Sequence, residues 1–518
     1  MTTVLNFDST KALATGAVAV VLYLFITKLI RYKRLSHIPG PVTTGWSSFW
    51  LVWRQASDNI PGNFERAIKK YGPIVRVAPN WLICSDPSEI HRIWSVRSGW
   101  RRSTWYHSFR FDPHKDNVLT YPDNEDHRRA RAMLIPSYSA RGFETQERLM
   151  DEQIVRFIDL LERKYVSSSS EEEGGYRPLD MSHVFTFLTQ DVMTAIEFSQ
   201  PMGMIEQDRD FLGVLGLFEK LVKIMVPTAT LTWVQTLQRA PVLKPFLPRA
   251  GDGSSFGGLL QLIRDHVSER YHPDKDKKVV KDDMLQKMVD SGITQEQAEA
   301  EALVALFGGT DSTAMALRQT VFYLASTAPV YRALQAEIDA AIARGEVTRP
   351  IISDLEAKKL LFLQACLKEG TRMWPPIGGL LAKVSDKDDV ICGMHVPAGT
   401  NVAWASKAVV RSREVFGEDA DMFNPQRWID AANDAKANPE RLKRMEMTQG
   451  LVFGSGTRWE CLGKRLAYVE LGKVIFELFA RYDFAMVNPE EPMKKRHQGL
   501  IFHKDMFVKV TKREVQAD

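Results

Sequence analysis

One stretch constrains this chain more than any other: Phe453-Gly-Ser-Gly-Thr-Arg458-Trp-Glu-Cys461-Leu-Gly463-Lys-Arg-Leu-Ala467. Gly454, Gly456 and Gly463 let the backbone pass close to a flat object, and Cys461 stands at the mouth of an apolar helical run over 466–479. A thiol at a helix N-terminus is biased toward thiolate by unpaired amides and the positive end of the dipole. A thiolate backed by amide donors suits heme iron, whose chemistry depends on its axial ligand. The alternative is a buried structural cysteine ahead of an ordinary amphipathic helix, since unpaired cysteine is among the most buried residue types.

Two more segments weigh against that alternative. Glu369-Gly-Thr-Arg372 lies in a helical stretch stopped by Pro375-Pro376. An i,i+3 Glu–Arg pair alone is a common solvated helix pair, but Phe423-Asn-Pro-Gln-Arg427-Trp428 offers a second arginine further along. The other segment is Ala305-Leu-Phe-Gly308-Gly309-Thr-Asp311-Ser312-Thr313-Ala-Met-Ala-Leu317, an apolar helix breached mid-span by glycines, an acid and hydroxyls. Such a breach marks a functional site.

With these motifs in this order, the chain resembles the cytochrome P-450 superfamily of heme-thiolate monooxygenases, closest to its microsomal, fungal-type members. The resemblance runs from about residue 36 to the C-terminus. It implies a mostly α, large single-domain helical fold with small β-sheets, residues 36–518, behind an N-terminal transmembrane helix in residues 1–35. The chain departs from the family pattern at three points. Trp459 and Glu460 both separate Arg458 from Cys461, one residue more than usual. Ser312 stands where the family usually has threonine, keeping the hydroxyl without the methyl that stiffens χ1. Lys383 occupies a place that is often arginine and neutralises an anion only as a point charge.

The resemblance implies a role for each residue. Cys461 is the thiolate ligand of heme b, with Phe453 and Gly463 shaping its loop; electron density from the thiolate favours O–O cleavage. Arg458, Lys383, and the pair His127 and Arg131, four residues apart, hold the heme propionates; the alternative for the pair is a surface basic run. Val304, Gly308 and Ser312 share one helix face. Gly308 and Gly309 clear the oxygen-binding position, and Ser312 bonds the carbonyl of Gly308 and opens the helix locally. Asp311 is the proton source. Glu369, Arg372 and Arg427 form a buried charge-assisted network that fixes the scaffold on the thiolate side.

Composition agrees with one large body. The 518 residues are 44% hydrophobic and carry no long Pro/Gly/Ser tract after residue 45, which argues against separate domains. A Ser/Glu/Gly insert at 167–175 reads as a solvated loop. The four cysteines show no Cys-x-x-Cys spacing, which argues against zinc ribbons, iron–sulfur clusters and a secreted disulfide framework, and for a body facing a reducing compartment. A net charge of +4 argues against a dedicated nucleic-acid binder. Arg128-Arg129 and Lys464-Arg465 are either solvated faces or a docking patch for an acidic redox partner.

Residues 12–30 are dominated by apolar side chains, about the length that spans a bilayer. Lys28, Arg31, Lys33 and Arg34 follow the run and only Lys11 precedes it, which holds the C-terminal side in the cytosol. The alternative, a cleaved signal peptide, meets Asp8 ahead of the run and no Ala-x-Ala-like site after it. The expectation is a single-pass anchor in the endoplasmic reticulum membrane with a cytosolic catalytic domain, followed by a stiff Ile38-Pro-Gly-Pro41 hinge. The resemblance implies NADPH–cytochrome P-450 reductase as electron donor, NADPH acting only through it, with cytochrome b5 as a second candidate partner. The expected pocket segments are residues 104–120 (with Phe109 and Phe111), 202–246, 377–381 and 500–502. They are apolar or aromatic and imply a lipophilic small molecule, in keeping with secondary metabolism. Two other classes stay open: a heme-thiolate isomerase, dehydratase or peroxygenase that needs no reductase, and a non-catalytic heme carrier or sensor.

Overall fold

In the computed structural model the described residues are 9–112, 114–139, 143–168, 175–210, 212–272 and 281–514. The organising element is the helix Gln295–Ala325, 31 residues long, capped by the Thr294 side chain accepting from the Gln297 amide. A helix of that length inside a protein must be apolar on most sides. It packs against Met181–Phe198, in which every residue but His183 is buried. At Gly309 a Cβ would overlap the side-chain sulfur of Met193 from that neighbouring helix. Gly309 is therefore a packing glycine, which corrects the expectation that it clears an oxygen-binding position. Of these two glycines, Gly308 alone faces open space. Thr310 ties the same two helices by donating to Gln190 Oε1 at 2.8 Å.

Beneath the long helix run Leu361–Met373, ended by Pro375-Pro376, and Lys464–Arg481, which follows the cysteine loop. A five-stranded sheet flanks this body in the order Ile74–Ala78, Trp81–Cys84, Asn401–Trp404, Lys383–Val384, Arg101–Arg102. Only the Trp81–Cys84/Asn401–Trp404 pair is parallel. A three-stranded sheet joins Pro178–Asp180, Phe507–Lys512 and Tyr482–Met486, and two hairpins complete the β structure. The Ser/Glu/Gly insert is described only at its ends. There Ser167 is buried and its amide bonds Val510 O, so that end is tied to a strand rather than solvated; residues 169–174 lie outside the described residues.

The helix Ser9–Arg34 stands apart from the core. An 18-residue window within Leu13–Arg34 has a mean hydropathy of 2.1 and no buried residue, and this helix is long and apolar enough to cross a membrane. Its C-terminal end is docked: Tyr32 stacks on Trp46 with ring centroids 4.5 Å apart, and Arg76 Nη1 donates to Leu35 O. The proline-rich segment lies on strand Ile74–Ala78, with Arg76 N bonded to Pro39 O at 2.8 Å. A Cβ on Gly40 would collide with the Arg76 carbonyl, so that close approach requires glycine.

Candidate active site

The cysteine loop is closed by its own backbone. Cys461 N donates to Phe453 O at 2.8 Å, and Gly454 and Gly456 take left-handed φ angles that a side chain would disfavour. The chain then enters the helix Lys464–Arg481 with Gly463 as its cap. Burial pushes the Cys461 thiol up, opposed by the backbone amides of Gly463 and Lys464 and by the Arg131 charge. The cysteine is nonetheless solvent-accessible, although protein surrounds it closely enough to desolvate it. Both observations hold for a sulfur on the wall of an internal space.

Beside it lies a group of cations, Arg102 and Lys383 buried, Arg131 and Arg458 half-buried. Arg102 and Lys383 face each other across the antiparallel pair Arg101–Arg102/Lys383–Val384. Like charges directly opposite in a sheet repel, yet among the described residues neither makes an ion pair, and nor do Arg131 and Arg458. Burial and the Arg102 charge hold Lys383 well below the ordinary lysine range. Its Nζ donates to Tyr106 Oη at 2.9 Å and lies over the rings of Trp459, Trp94 and Tyr106 at 4.3, 4.7 and 4.9 Å. Arg102, brought to about 10 by burial, donates from Nη1 to Val118 O at 2.5 Å. Arg131 Nη1 donates to Glu460 O at 2.5 Å. His127 sits among these groups, pushed down to about 2 by burial and by the charges of Arg102, Arg131, Lys383 and Arg458, so it is neutral. Arg458 turns Nη2 to the carbonyls of Val96 and Ser98. The residue inserted before the cysteine thus places the Trp459 ring, rather than the Arg458 guanidinium, over Lys383.

The donors left over are informative. Arg102 Nε, Arg458 Nε and Trp459 Nε1 are buried without a partner, and buried polar groups ordinarily have one. Uncompensated cations and orphaned donors beside an amide-backed thiol form a receptor for an anionic, flat ligand with a thiolate-seeking centre. A heme, with its propionates and iron, fits that donor set.

On the long helix, Ser312 Oγ donates to Gly308 O at 2.6 Å, the i−4 bond expected there. Asp311 is raised to about 6 by burial, against the pull of Arg318. Thr313 is buried, one residue round the helix. The ring of Phe307 is stacked between Phe218 and Phe111, with centroids 4.6 and 5.0 Å away, so two of the expected pocket segments meet the helix next to Gly308. A third and fourth meet where Gly378 N bonds Gly499 O and Ile377 pairs with Leu500.

Glu369, Arg372 and Arg427 come together with no solvent access to the pair at the centre. Arg372 grips Glu369 through Nε and Nη2 at 2.8 and 2.7 Å; Arg427 Nε reaches the same carboxylate at 3.0 Å and Trp428 Nε1 at 2.9 Å. The remaining guanidinium donors go to Val410, Ala420 and Phe416 carbonyls and to Asp419.

A profile of the cytochrome P-450 family matches residues 39–510. The chain belongs to that family. It is 36% identical to cytochrome P-450 monooxygenase ABA1 of Pyricularia oryzae, over 96% of each chain. It is 35% identical to cytochrome P-450 monooxygenase aba1 of Botryotinia fuckeliana, over 93% of this chain and 92% of that one. Identity to cytochrome P-450 monooxygenase gsfF of Penicillium aethiopicum is 27%, over 97% and 98%. In class it is a cytochrome P-450 monooxygenase.

Sequence reasoning missed Arg102, Tyr106, Trp459 and Glu301. Glu301 is buried on the long helix, raised to about 7, and accepts the Val118 amide at 2.9 Å while Arg102 takes the carbonyl of the same residue. Trp100-Arg-Arg-Ser carried no spacing signal for Arg102, because the strand pairing that makes it matter joins residues far apart in the chain.

Proposed function

We propose that this P-450 is a membrane-anchored enzyme that inserts one oxygen atom from O2 into a lipophilic small molecule of secondary metabolism. Electrons come from NADPH through a reductase, with cytochrome b5 as an auxiliary donor. The observation that carries the reading is the amide-backed Cys461 beside a group of cations without counterions among the described residues. Heme bound there supplies the activation of oxygen at a thiolate-held iron.

The chain's own residues do the rest. The amides of Gly463 and Lys464 hold charge on Cys461 Sγ. Lys383, Arg102, Arg131 and Arg458, with the indole N–H of Trp459 and neutral His127, hold and orient the propionates. Gly308 leaves open space on the long helix. Ser312 donates to the Gly308 carbonyl within a helix that stays unbroken there, rather than opening it. Asp311, raised to about 6, takes up a proton on its carboxyl and delivers it through water toward that space. Phe109, Phe111 and Phe218 exclude water around an apolar substrate. Glu369, Arg372 and Arg427 keep the thiolate-side scaffold rigid, in a positioning role.

Residues 1–35 serve as the anchor, in the endoplasmic reticulum membrane, and 36–518 as the cytosolic catalytic domain. Arg128, Arg129, Lys464 and Arg465 offer the reductase a basic surface. Arg128 and Arg129 are about two-thirds exposed, at 69% and 66%.

The test is carbon monoxide difference spectroscopy followed by turnover. The reduced protein should show the red-shifted Soret band of thiolate ligation. Cys461→Ser should abolish it, while Cys84→Ser, Cys366→Ser and Cys392→Ser keep it. Product from a panel of lipophilic substrates should require both NADPH and reductase. A band retained by Cys461→Ser defeats the ligand assignment, and product formed without reductase transfers the reading to a peroxygenase or isomerase.

A further inference from the structure

Away from the heme site two other cysteines meet. Cys84 ends the buried strand Trp81–Cys84, and Cys392 lies in the turn joining strands Asp389–Ile391 and Met394–Val396. They are 308 residues apart in sequence, yet their sulfurs are 3.9 Å from each other. Both backbones are pinned. Cys84 O accepts from Ala405 N at 2.7 Å, and Cys392 N donates to Glu89 Oε1 at 3.0 Å. Arg92 links Glu89 to Asp389 on the same hairpin, so the turn is strapped to the helix Pro87–Trp94.

The turn itself is unusual. Cys392 has φ +49° and Gly393 φ +75°, the pair of left-handed angles of a two-residue hairpin turn. Asn, Asp or Gly ordinarily takes the first of these positions, and a side chain without a local hydrogen bond is disfavoured there. A cysteine held in that conformation, with its sulfur directed at a second sulfur, is an outlier that points to use.

We propose that Cys84 and Cys392 form a reversible thiol–disulfide site that reacts with hydrogen peroxide. Cys392 is the attacking thiol: it is partly exposed, whereas Cys84 is fully buried. The contact with the Cys84 thiol favours the thiolate at Cys392, and the same contact together with burial keeps Cys84 protonated. The Cys392 thiolate attacks one peroxide oxygen, the O–O bond breaks, and the departing hydroxide takes a proton to leave as water. Cys392 becomes a sulfenic acid. The Cys84 sulfur then displaces the sulfenic oxygen, its own proton leaving with that oxygen as a second water. Two thiols and one peroxide thus give one disulfide and two waters. The sulfurs close from 3.9 Å to about 2 Å. In a reducing compartment such a pair rests as thiols and oxidises transiently.

The position gives the reaction somewhere to be felt. Cys84 pairs with Trp404 in the sheet, Trp404 packs on Trp94 at 5.3 Å, and Trp94 lies under Lys383. The bond would staple the hairpin to the strand that supports one wall of the cation group.

The experiment uses full-length, heme-loaded protein treated with hydrogen peroxide, quenched with catalase, blocked with N-ethylmaleimide in denaturant and digested without reductant. The expected result is a cross-linked peptide pair joining Cys84 to Cys392, lost on treatment with dithiothreitol, with Cys366 unjoined. Cys84→Ser should leave a sulfenic acid at Cys392 that dimedone traps, and Cys392→Ser should leave Cys84 unoxidised. The proposal is overturned if, after peroxide acts on the folded protein and the reaction is quenched, both cysteines take up N-ethylmaleimide on blocking in denaturant. It is equally overturned if Cys392 proceeds to sulfinic acid without cross-linking, or if the link forms only in denaturant.

Discussion

Two groups of cations in this molecule, one fully buried and one buried only at Arg102 and Lys383, look alike in sequence and differ in what surrounds them. Arg372 and Arg427 close around Glu369, and between them they spend their donors on one carboxylate, on Asp419 and on backbone carbonyls. Arg102, Arg131, Lys383 and Arg458 have no carboxylate within ion-pair distance among the described residues, and two of them keep a buried donor unused. Burying a charge is costly unless it is paired. The first group meets that condition inside the chain; the second, among the described residues, does not. A buried arginine is therefore uninformative until its partners are counted.

The contrast is open to direct attack. The largest effect should come from Glu369→Gln, which leaves Arg372 buried without a counterion and Arg427 with Asp419 alone; breaking such a pair costs about 3–5 kcal/mol. Little folded holoprotein should survive, measured as the carbon monoxide band per mole of expressed chain. A normal yield would mean the network is not structural. Next, Ser312→Ala and Asp311→Asn should lower product by about 10- to 100-fold, the scale of a lost proton-transfer group. The carbon monoxide band and substrate binding should stay, with NADPH consumption continuing in part toward peroxide. Thr313→Ala, one position round the helix, should be far milder. Unchanged coupling in all of these variants would remove the oxygen-cleaving assignment.

Lys383→Met should behave in the opposite sense to Glu369→Gln. Removing a cation that lacks a counterion should leave the heme-free protein as stable or slightly more so by thermal unfolding, while weakening heme retention several-fold in transfer to a heme-scavenging protein. Loss of stability without faster heme loss would contradict the reading of this group as a receptor.

The smallest effect concerns pH. Glu301 is raised by burial from 4.5 to about 7 in the fold. A carboxyl with a raised folded pKa contributes stability that is present below the unfolded value and is lost as pH rises through the folded one. Stability from this group should therefore fall between about pH 4.5 and 7. Glu301→Gln, which does not titrate, should improve relative to wild type by a few degrees on going from pH 5 to pH 8. Parallel melting curves across that range would show that Glu301 is not the group responsible.

What was legible in the sequence was local. The cysteine loop declared itself because glycines, a thiol and a following helix sit within a few residues, and the breach in the long helix because its period made the intrusion visible. The Ser312–Gly308 bond follows from i−4 geometry alone. Gly309 shows the limit: its neighbour in sequence opens space, while Gly309 itself admits Met193 from another helix. No pattern within the helix separates the two.

The sequence by itself determined the family, the helical class, the apolar N-terminal helix and the thiol that defines the site, because each is written in short-range spacing. The tertiary structure alone decided which cations are paired and which, among the described residues, have no counterion. It also decided that Trp459 rather than Arg458 covers Lys383, and that Cys84 faces Cys392. Those outcomes depend on strand register and helix packing between segments hundreds of residues apart, where charge and burial are set by what the fold brings near.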